Sequence, residues 1–190
     1  GLVSDLKLPY PGQHNLMNAA AALALALEVS CNPSDLKEGL ATFKGIDRRF
    51  SIRLTAPKVL IDDYAHHPTE VNAVVDALEE FYPGKRKLGV FQPHLFSRSK
   101  DFAEGFTKAL ARFDEVLLLD IYPARELPIT GVTSHLLIAK NHPNTQLISK
   151  AQLPQKVANS TAEVVAILGA GDIAFEVKNV AQTLKNQCHE

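Results

Sequence analysis

The sequence lacks an excess of charge of either sign, because 20 basic and 21 acidic residues leave a formal net charge of −1 over 190 residues. A chain this close to neutral has no general electrostatic reason to bind nucleic acid or an anionic membrane. Cysteine is also scarce, and Cys31 and Cys188 form no metal-type spacing, so a reduced, cytoplasmic setting is the simplest interpretation. The longest apolar run, Ala19 to Leu27, is too short to span a bilayer.

Several nucleotide-binding and catalytic motifs are missing as well. The chain contains no Gly-x-x-x-x-Gly-Lys-Ser/Thr phosphate loop, no serine nucleophile elbow and no cysteine cluster of the metal-binding type. The pair Gly169-x-Gly171 lacks the third glycine of the dinucleotide fingerprint, so we do not predict NAD binding. If the chain serves a nucleotide-dependent reaction, it therefore supplies only part of the site.

The first 47 residues predict a helical segment. Asn15 is the expected N-cap of a helix that runs through Val29 and is apolar on every side, so this helix should be buried all round. A second, amphipathic helix starts at Asn32-Pro33-Ser34 and ends at Gly45, with Leu36, Leu40 and Phe43 inward. Nothing else in the first fifty residues could surround the first helix, and the chain begins with glycine. We therefore expect a fragment of a longer protein.

After a boundary near residues 46–50, predicted strands alternate with predicted helices. The strands are an alternating pattern of Phe50, Ile52 and Leu54, followed by Val59–Asp63, Leu88–Gln92, Val116–Ile121, Gln146–Ile148 and Val164–Leu168. The helices are Pro68–Phe81, Ser99–Phe113, Ser134–Lys140, Leu153–Asn159 and Ile173–Asn186. This alternation predicts an α/β fold, with a mostly parallel, Rossmann-like sheet that carries helices on both faces.

Four of the predicted strands end in unusual polar segments, namely Asp62–His67, Gln92–Lys100, Asp120–Glu126 and Gly169–Asp172. In a parallel sheet all four segments lie along the carboxyl edge, where open α/β sheets bind ligands. Three basic side chains there can hold a carboxylate or a phosphate: Arg98, Lys100 and Arg125. Three imidazoles can orient a substrate or move protons: His66, His67 and His94. A solvated loop of turn and cap residues would explain any one segment alone. It explains the occurrence of all four together less well.

Five segments together resemble one family, the Mur ligases of bacterial cell-wall synthesis. These segments are Pro11–Ala19, Phe43–Phe50, Asp62–Glu70, Phe91–His94 and Gly169–Ile173. The first looks like the end of the family's central ATPase domain, the second like its junction with the C-terminal domain, and the others like motifs of the member that adds L-alanine. The resemblance implies that residues 1–47 close the central ATP-binding domain and that residues 48–190 form the C-terminal Rossmann-like ligase domain.

The resemblance implies an ATP-dependent ligase that adds L-alanine to UDP-N-acetylmuramate in peptidoglycan synthesis. ATP would phosphorylate the muramic acid carboxylate, and the amine of L-alanine would attack the acyl phosphate to give the amide and phosphate. Mg²⁺ would neutralise phosphate charge, with its ligands and the phosphate loop upstream of residue 1. The N-terminal and central domains are therefore expected partners on the same chain, with the C-terminal domain closing on the central one, and the fragment alone is expected to be inactive.

Residue roles carry over from the resemblance position by position. Asn15 and Asn18 would contact adenine, Arg49 would reach the terminal phosphate, and Asp63 would hold the ribose or order its loop.

The amino-acid pocket follows in the same way. His66, His94 and Arg98 would position L-alanine and the reacting carboxylate, with Tyr64 nearby and the loop of Gly171 at the border. Leu95 and Lys100 stand where the family often has arginine, which leaves the amino-acid carboxylate to Arg98.

Three alternatives stay open at the level of sequence. The related ligase that recycles murein peptides shares the Asp-Asp-x-Ala-His-His-Pro pattern, although Phe91–His94 followed by Arg98 favours the L-alanine enzyme. A metal-dependent hydrolase could use Asp62, His66, His67 and His94, but adjacent histidines in one loop rarely reach one ion together. A non-catalytic binding module is the third alternative.

Overall fold

A computed structural model describes residues 4–9, 12–138 and 144–187 of the chain. Pro11, the predicted helix end at Lys140, and Cys188 lie outside the described residues. The chain divides into two compact units, Gly1–Ile46 and Asp47–Glu190.

The first unit contains two helices, α1 (Gln13–Glu28) and α2 (Pro33–Thr42). The prediction that Asn15 caps α1 is wrong, because the helix begins directly after Gly12, whose φ of 94° suits glycine, and Asn15 lies in the first turn. Asn32 does cap α2, since its side chain accepts a hydrogen bond from the backbone N–H of Ser34 at 3.0 Å.

Helix α1 is predicted to be buried all round, but the described residues of this chain do not enclose it. Leu16, Met17 and Leu25 are 60%, 63% and 70% exposed. The neighbouring helix α2 contains no buried residue, and Phe43, predicted to point inward, is 45% exposed. The physical reason is geometric, since one short helix can cover only one side of another. Helix α2 therefore leaves Leu16, Met17 and Leu25 of α1 exposed.

The second unit is built on a six-stranded sheet in the order β1-β2-β6-β3-β4-β5. The strands are β1 (Ser51–Leu54), β2 (Val59–Asp63), β3 (Lys87–Phe91), β4 (Glu115–Leu118), β5 (Thr145–Leu147) and β6 (Val164–Leu168). Only the edge strand β1 runs antiparallel to its neighbour, and the other pairs are parallel. The predicted mostly parallel sheet is confirmed.

Helices cover both faces of this sheet, as predicted. They are α3 (Pro68–Phe81), α4 (Phe96–Asp101), α5 (Ala103–Leu110), α6 (Leu153–Asn159) and α7 (Glu176–Asn186), with short 3₁₀ helices at Ser134–Leu137, Lys150–Gln152 and Asp172–Phe175. Strand β6 divides its side chains between two cores: Val164, Ala166 and Leu168 pack with α3 and α5, whereas Val165 and Ile167 pack with α6 and α7. Such a strand is apolar along its whole length because both of its faces are buried.

Two local predictions are wrong. The single helix expected over Ser99–Phe113 is broken at Phe102, whose φ and ψ of −112° and 19° are not helical. The break places the Phe102 ring against His67, with ring centroids 4.6 Å apart, instead of in the core. In β1, Ile52 is 50% exposed, because Phe50 precedes the strand with φ 49° and the pairing shifts between Ile52 and Leu54.

Candidate active site

The four polar segments predicted to share one sheet edge do so. Strands β2, β6, β3 and β4 are consecutive neighbours in the sheet, and all four are parallel. Backbone bonds continue the pairing into the loops, from Gly169 N to Asp63 O at 3.2 Å and from Gln92 N to Leu168 O at 3.0 Å. The loops therefore leave the sheet side by side at its carboxyl edge, where open α/β sheets bind ligands.

Asp63, the last residue of β2, is an internal anchor of its loop. Its carboxylate is almost fully buried and accepts hydrogen bonds from the backbone N–H groups of Phe50 and Ala65, each at 2.7 Å. Burial raises the pKa of Asp63 above its ordinary value, and the two N–H bonds oppose that rise. One carboxylate oxygen of Asp63 is thus bonded to its own loop at Ala65, and the other to Phe50, which precedes β1.

The loop then enters α3 through a capping box. The His67 side chain accepts from the N–H of Thr69 at 3.3 Å, while Glu70 Oε2 accepts from the N–H groups of His66 and His67 at 2.8 and 3.1 Å. Pro68 occupies the first helical turn, where it needs no hydrogen-bond partner. His67 is therefore committed to capping the helix, whereas the His66 ring contacts other groups of the site.

The surroundings of His66 determine which of its ring nitrogens carries a proton. Its Nδ1 lies 3.0 Å from the carbonyl oxygen of Tyr64 and 3.2 Å from Glu70 Oε2. Both neighbours can only accept a hydrogen bond, so Nδ1 must be the donor. In the neutral ring, Nε2 is then a proton acceptor. The Tyr64 ring meets the His66 ring edge-on at 5.2 Å.

His94, in the loop after β3, has the opposite surroundings. Its Nδ1 lies 3.4 Å from a terminal nitrogen of Arg98, which can only donate, so Nδ1 accepts and Nε2 carries the proton. Burial, and after it the positive charge of Arg98, lowers the pKa of His94 below its ordinary value. The ring centroids of His94 and His66 are 6.1 Å apart, and His94 stacks on Tyr122 at 5.6 Å.

The glycine loop after β6 lies between these two loops. A Cβ atom on Gly171 would stand 2.6 Å from Gln92 Oε1 and 2.7 Å from Tyr122 Cγ, and Gly169 has φ 148°. The Gln92 side chain closes the loop by accepting from Ile173 N at 3.0 Å and donating to Asp172 Oδ1 at 2.8 Å. Glycine is required here because the backbone passes so close to its neighbours.

The paired arginines have different roles. The Arg48 guanidinium is occupied, because it donates to Asp62 Oδ1 at 3.2 Å and to the carbonyl oxygen of Gly169. The Arg49 side chain is 51% exposed, lies over the Tyr64 ring at 5.7 Å, and reaches Glu70 Oε1 only at 3.9 Å. Arg48 therefore ties the junction to the sheet, whereas Arg49 has donors available for a ligand.

The structure brings together Tyr64, His66, His94, Arg98 and Gly171, with Arg49 and Asp63 beside the same loop after β2. Asn15 and Asn18 lie on α1 of the first unit, and their assignment to adenine stays a prediction. Sequence reasoning missed the roles of Glu70, Tyr122 and Glu126, which contact the loops that carry His66 and His94. Glu70 gave a local sequence signal as the third helical residue of a capping box, and Tyr122 and Glu126 lie in the predicted polar segment Asp120–Glu126.

The geometry does not support the metal-dependent hydrolase. Among residues 4–9, 12–138 and 144–187, no group of three His, Cys, Asp or Glu side chains is placed to hold a metal ion. Asp62 is paired with Arg48 and Arg53, and His67 caps α3.

In the same described part of the chain, no helix combines the length and the apolar character needed to cross a membrane.

The second unit is thus an open α/β domain with parallel strands, helices on both faces, and a cluster of imidazole and guanidinium groups at the carboxyl edge of the sheet. Residues 48–175 match the family described as "Mur ligase, glutamate ligase domain", and the chain therefore belongs to the Mur ligase family.

Relatives with high sequence identity to the chain share one name. The chain is 51% identical to UDP-N-acetylmuramate–L-alanine ligase of Christiangramia forsetii over 97% of its own length, and 52% identical to that of Flavobacterium psychrophilum over 96%. It covers only 41% of either relative. Among solved structures, UDP-N-acetylmuramate-alanine ligase from Thermotoga maritima superposes with a TM-score of 0.78 at 28% identity, over 97% of this chain and 40% of that one.

Proposed function

We propose that this chain is the C-terminal part of an ATP-dependent ligase that joins L-alanine to UDP-N-acetylmuramate in peptidoglycan synthesis. The observation that carries the proposal is the pair of imidazoles 6.1 Å apart, with Arg98 beside His94, at the carboxyl edge of the sheet. The high identity to ligases of that name supports the choice of substrates. The scarcity of cysteine agrees with a cytoplasmic enzyme.

Arg98 is the proposed anchor of the L-alanine carboxylate. One of its terminal nitrogens contacts His94, and a guanidinium still has other N–H groups with which to hold a carboxylate by two parallel bonds. Tyr64 and Gly171 are the proposed borders of the pocket, with the Tyr64 ring edge-on to His66 and the Gly171 backbone packed closely against Gln92 and Tyr122.

The two imidazoles divide the proton chemistry in this proposal. The amine of L-alanine must lose a proton before it attacks, and the unprotonated Nε2 of His66 is the proposed acceptor. The Nε2–H of His94 is the proposed donor to oxygen atoms that gain negative charge when the amine adds to the acyl phosphate. The tetrahedral intermediate then expels phosphate, which takes up the second proton lost by the amine nitrogen, and leaves the amide.

Binding of ATP belongs to the proposal as well. Arg49, with its exposed guanidinium, would reach the terminal phosphate, and Asn15 and Asn18 would contact adenine. Asp63 holds its own loop through the N–H of Ala65 and the segment before β1 through the N–H of Phe50, and we propose this role for it rather than a ribose contact. Mg²⁺ would neutralise phosphate charge, and no described cluster of this chain fits the ion, so its ligands would come from other domains of the whole protein.

The proposed N-terminal and central domains also account for the first unit. Helix α1 exposes Leu16, Met17 and Leu25, which is unusual for an amphipathic surface helix. The rest of a central ATP-binding domain would cover these side chains.

The test is release of phosphate by the full-length protein with ATP, Mg²⁺ and UDP-N-acetylmuramate, with and without L-alanine. Release that needs both substrates supports the proposed ligase. Release that needs a tripeptide in place of L-alanine assigns the chain to the murein-peptide recycling ligases; a murein peptide ligase from Psychrobacter arcticus shares the fold at a TM-score of 0.68 and 18% identity. No release under either condition leaves a non-catalytic binding module.

A further inference from the structure

The loop after β4, Asp120–Glu126, has no part in the proposed chemistry, yet it contacts the His94 loop at several points. Tyr122 N donates to Pro93 O at 2.8 Å, and Leu95 N donates to Tyr122 O at 2.9 Å. The Tyr122 ring stacks on the His94 ring, with an angle of 26° between the planes. The β4 loop therefore extends the parallel pairing of β3 and β4 past the ends of both strands.

Glu126, at the end of this loop, contacts Ser97, the residue that precedes Arg98. Its carboxylate accepts a hydrogen bond from the backbone N–H of Ser97 at 2.9 Å and another from the Ser97 hydroxyl. The Ser97 hydroxyl and then its N–H lower the pKa of Glu126 below its ordinary value, so the carboxylate is ionised at neutral pH. An anion at this position suits the first turn of a helix.

Helix α4 needs this contact because it has no cap of its own. Leu95 holds the N-cap position with φ 72° and makes no side-chain capping bond. The helix is only six residues long, and so short a helix is not stable by itself. Arg98 follows Ser97 directly in the first turn of α4, and a terminal nitrogen of Arg98 lies 3.4 Å from His94 Nδ1.

We propose that Glu126 is a positioning residue for the His94–Arg98 pair: it caps α4 from the β4 loop and so sets the site that receives the amino-acid carboxylate. The inference rests on the proposed ligase function for the identity of that ligand. Glu126 itself acts through Ser97 and does not touch the substrate.

The experiment compares Glu126→Ala, Glu126→Gln and Glu104→Ala with the wild type, all as full-length proteins. Glu104 is the matched control, because its carboxylate also lies beside the first turn of a helix but pairs with the exposed Lys108. For Glu126→Ala we expect the KM for L-alanine to rise about tenfold while kcat and the KM for ATP change less than about twofold. Glu126→Gln keeps one acceptor and should lie between Glu126→Ala and the wild type, and Glu104→Ala should match the wild type.

Two results would overturn the inference. One is a KM for L-alanine in Glu126→Ala within about twofold of the wild type. The other is an equal rise in the KM of all three substrates, which would show a general loss of structure.

A second readout separates failure of this inference from failure of the proposed function. Nitrogen-15 spectra of labelled histidine distinguish the tautomers of His94, assigned with His94→Gln. We expect the Nε2–H tautomer in the wild type and a mixture in Glu126→Ala, with or without ligase activity. An unchanged His94 spectrum rejects the positioning role, whereas wild-type protein without L-alanine-dependent phosphate release rejects the proposed ligase and leaves the spectral result standing.

Discussion

The loops after β2 and β3 each present a histidine to the same edge of the sheet, but they prepare it in opposite ways. His66 Nδ1 faces a carbonyl oxygen and the Glu70 carboxylate, whereas His94 Nδ1 faces the Arg98 guanidinium. The outward Nε2 atoms are therefore an acceptor on one ring and a donor on the other. Two rings of one residue type, with centroids 6.1 Å apart, thus offer a proton acceptor and a hydrogen-bond donor, because different groups lie beside the Nδ1 atom of each ring.

We expect the largest effect from removal of the Arg98 guanidinium, which lies beside His94 Nδ1. Arg98→Ala should lower kcat/KM for L-alanine about a hundredfold, because a charge-assisted bond to the substrate carboxylate and the donor to His94 Nδ1 are both lost. Steady-state kinetics of the full-length protein measures the change. Lys108→Ala, an exposed cation on α5, is the control and should behave as the wild type. An Arg98→Ala enzyme with nearly normal kcat/KM would refute the assignment of the carboxylate to Arg98.

The next effect concerns how the β2 loop is held. Asp63→Ala leaves the buried N–H groups of Phe50 and Ala65 without their acceptor, which should lower the free energy of unfolding by about 3 kcal/mol. Asp63→Asn keeps an acceptor oxygen and should lose less. Urea unfolding followed by circular dichroism measures both variants. A loss below about 1 kcal/mol in Asp63→Ala would mean that other contacts hold the loop.

A smaller effect on activity is expected from neutralising Glu70, whose carboxylate lies beside His66 Nδ1. Glu70→Gln keeps an oxygen for the N–H groups of His66 and His67 but removes the negative charge facing His66 Nδ1. We expect kcat to fall about tenfold, with the KM for L-alanine nearly unchanged, because the protonated ring formed during proton transfer loses its partner. Glu80→Gln, at an exposed position on the same helix, serves as the control. A change in KM alone would place Glu70 in substrate binding instead.

The smallest expected effect is on the pH dependence of stability. The pKa of His94 is below the 6.5 of a free histidine, owing to burial first and then to Arg98 and His66, with Glu126 acting the other way. The unfolded chain therefore binds more protons at this position, and the contribution of His94 to stability is present above pH 6.5 and is lost as the pH falls through the lowered pKa. His94→Gln should remove this loss, so its urea midpoint should fall less than the wild-type midpoint between neutral and acidic pH. Parallel curves for the two proteins would contradict the assignment.

Much of the second unit follows from the apolar pattern alone. The bounds of β2, α3, α6 and β6 agree with those expected from the sequence, because each is a buried run or an amphipathic repeat with a clear start, such as Pro68. The pattern fails where tertiary contacts override it. Phe102 leaves the helical repeat to pack on His67.

The location of the site could be predicted from the sequence, but the hydrogen bonds between its loops could not. Polar segments after parallel strands must share an edge, and that placed His66, His94 and Arg98 together. The bonds that tune them join residues distant in the chain, such as Glu126 with Ser97, 29 residues apart, or Arg48 with Gly169, 121 residues apart. No local pattern records which loop atoms will meet, so these contacts appear only in the structure.

The position of β6 in the sheet has a consequence for the order in which the molecule is made. Although β6 follows β1 to β5 in the chain, it lies between β2 and β3, the two strands that end in the His66 and His94 loops. During synthesis on the ribosome, both histidines emerge long before Val164–Leu168, and the strands that carry them have no shared neighbour until then. The nascent chain therefore contains both histidines before their separation is fixed. The pair forms only when β6 inserts between β2 and β3.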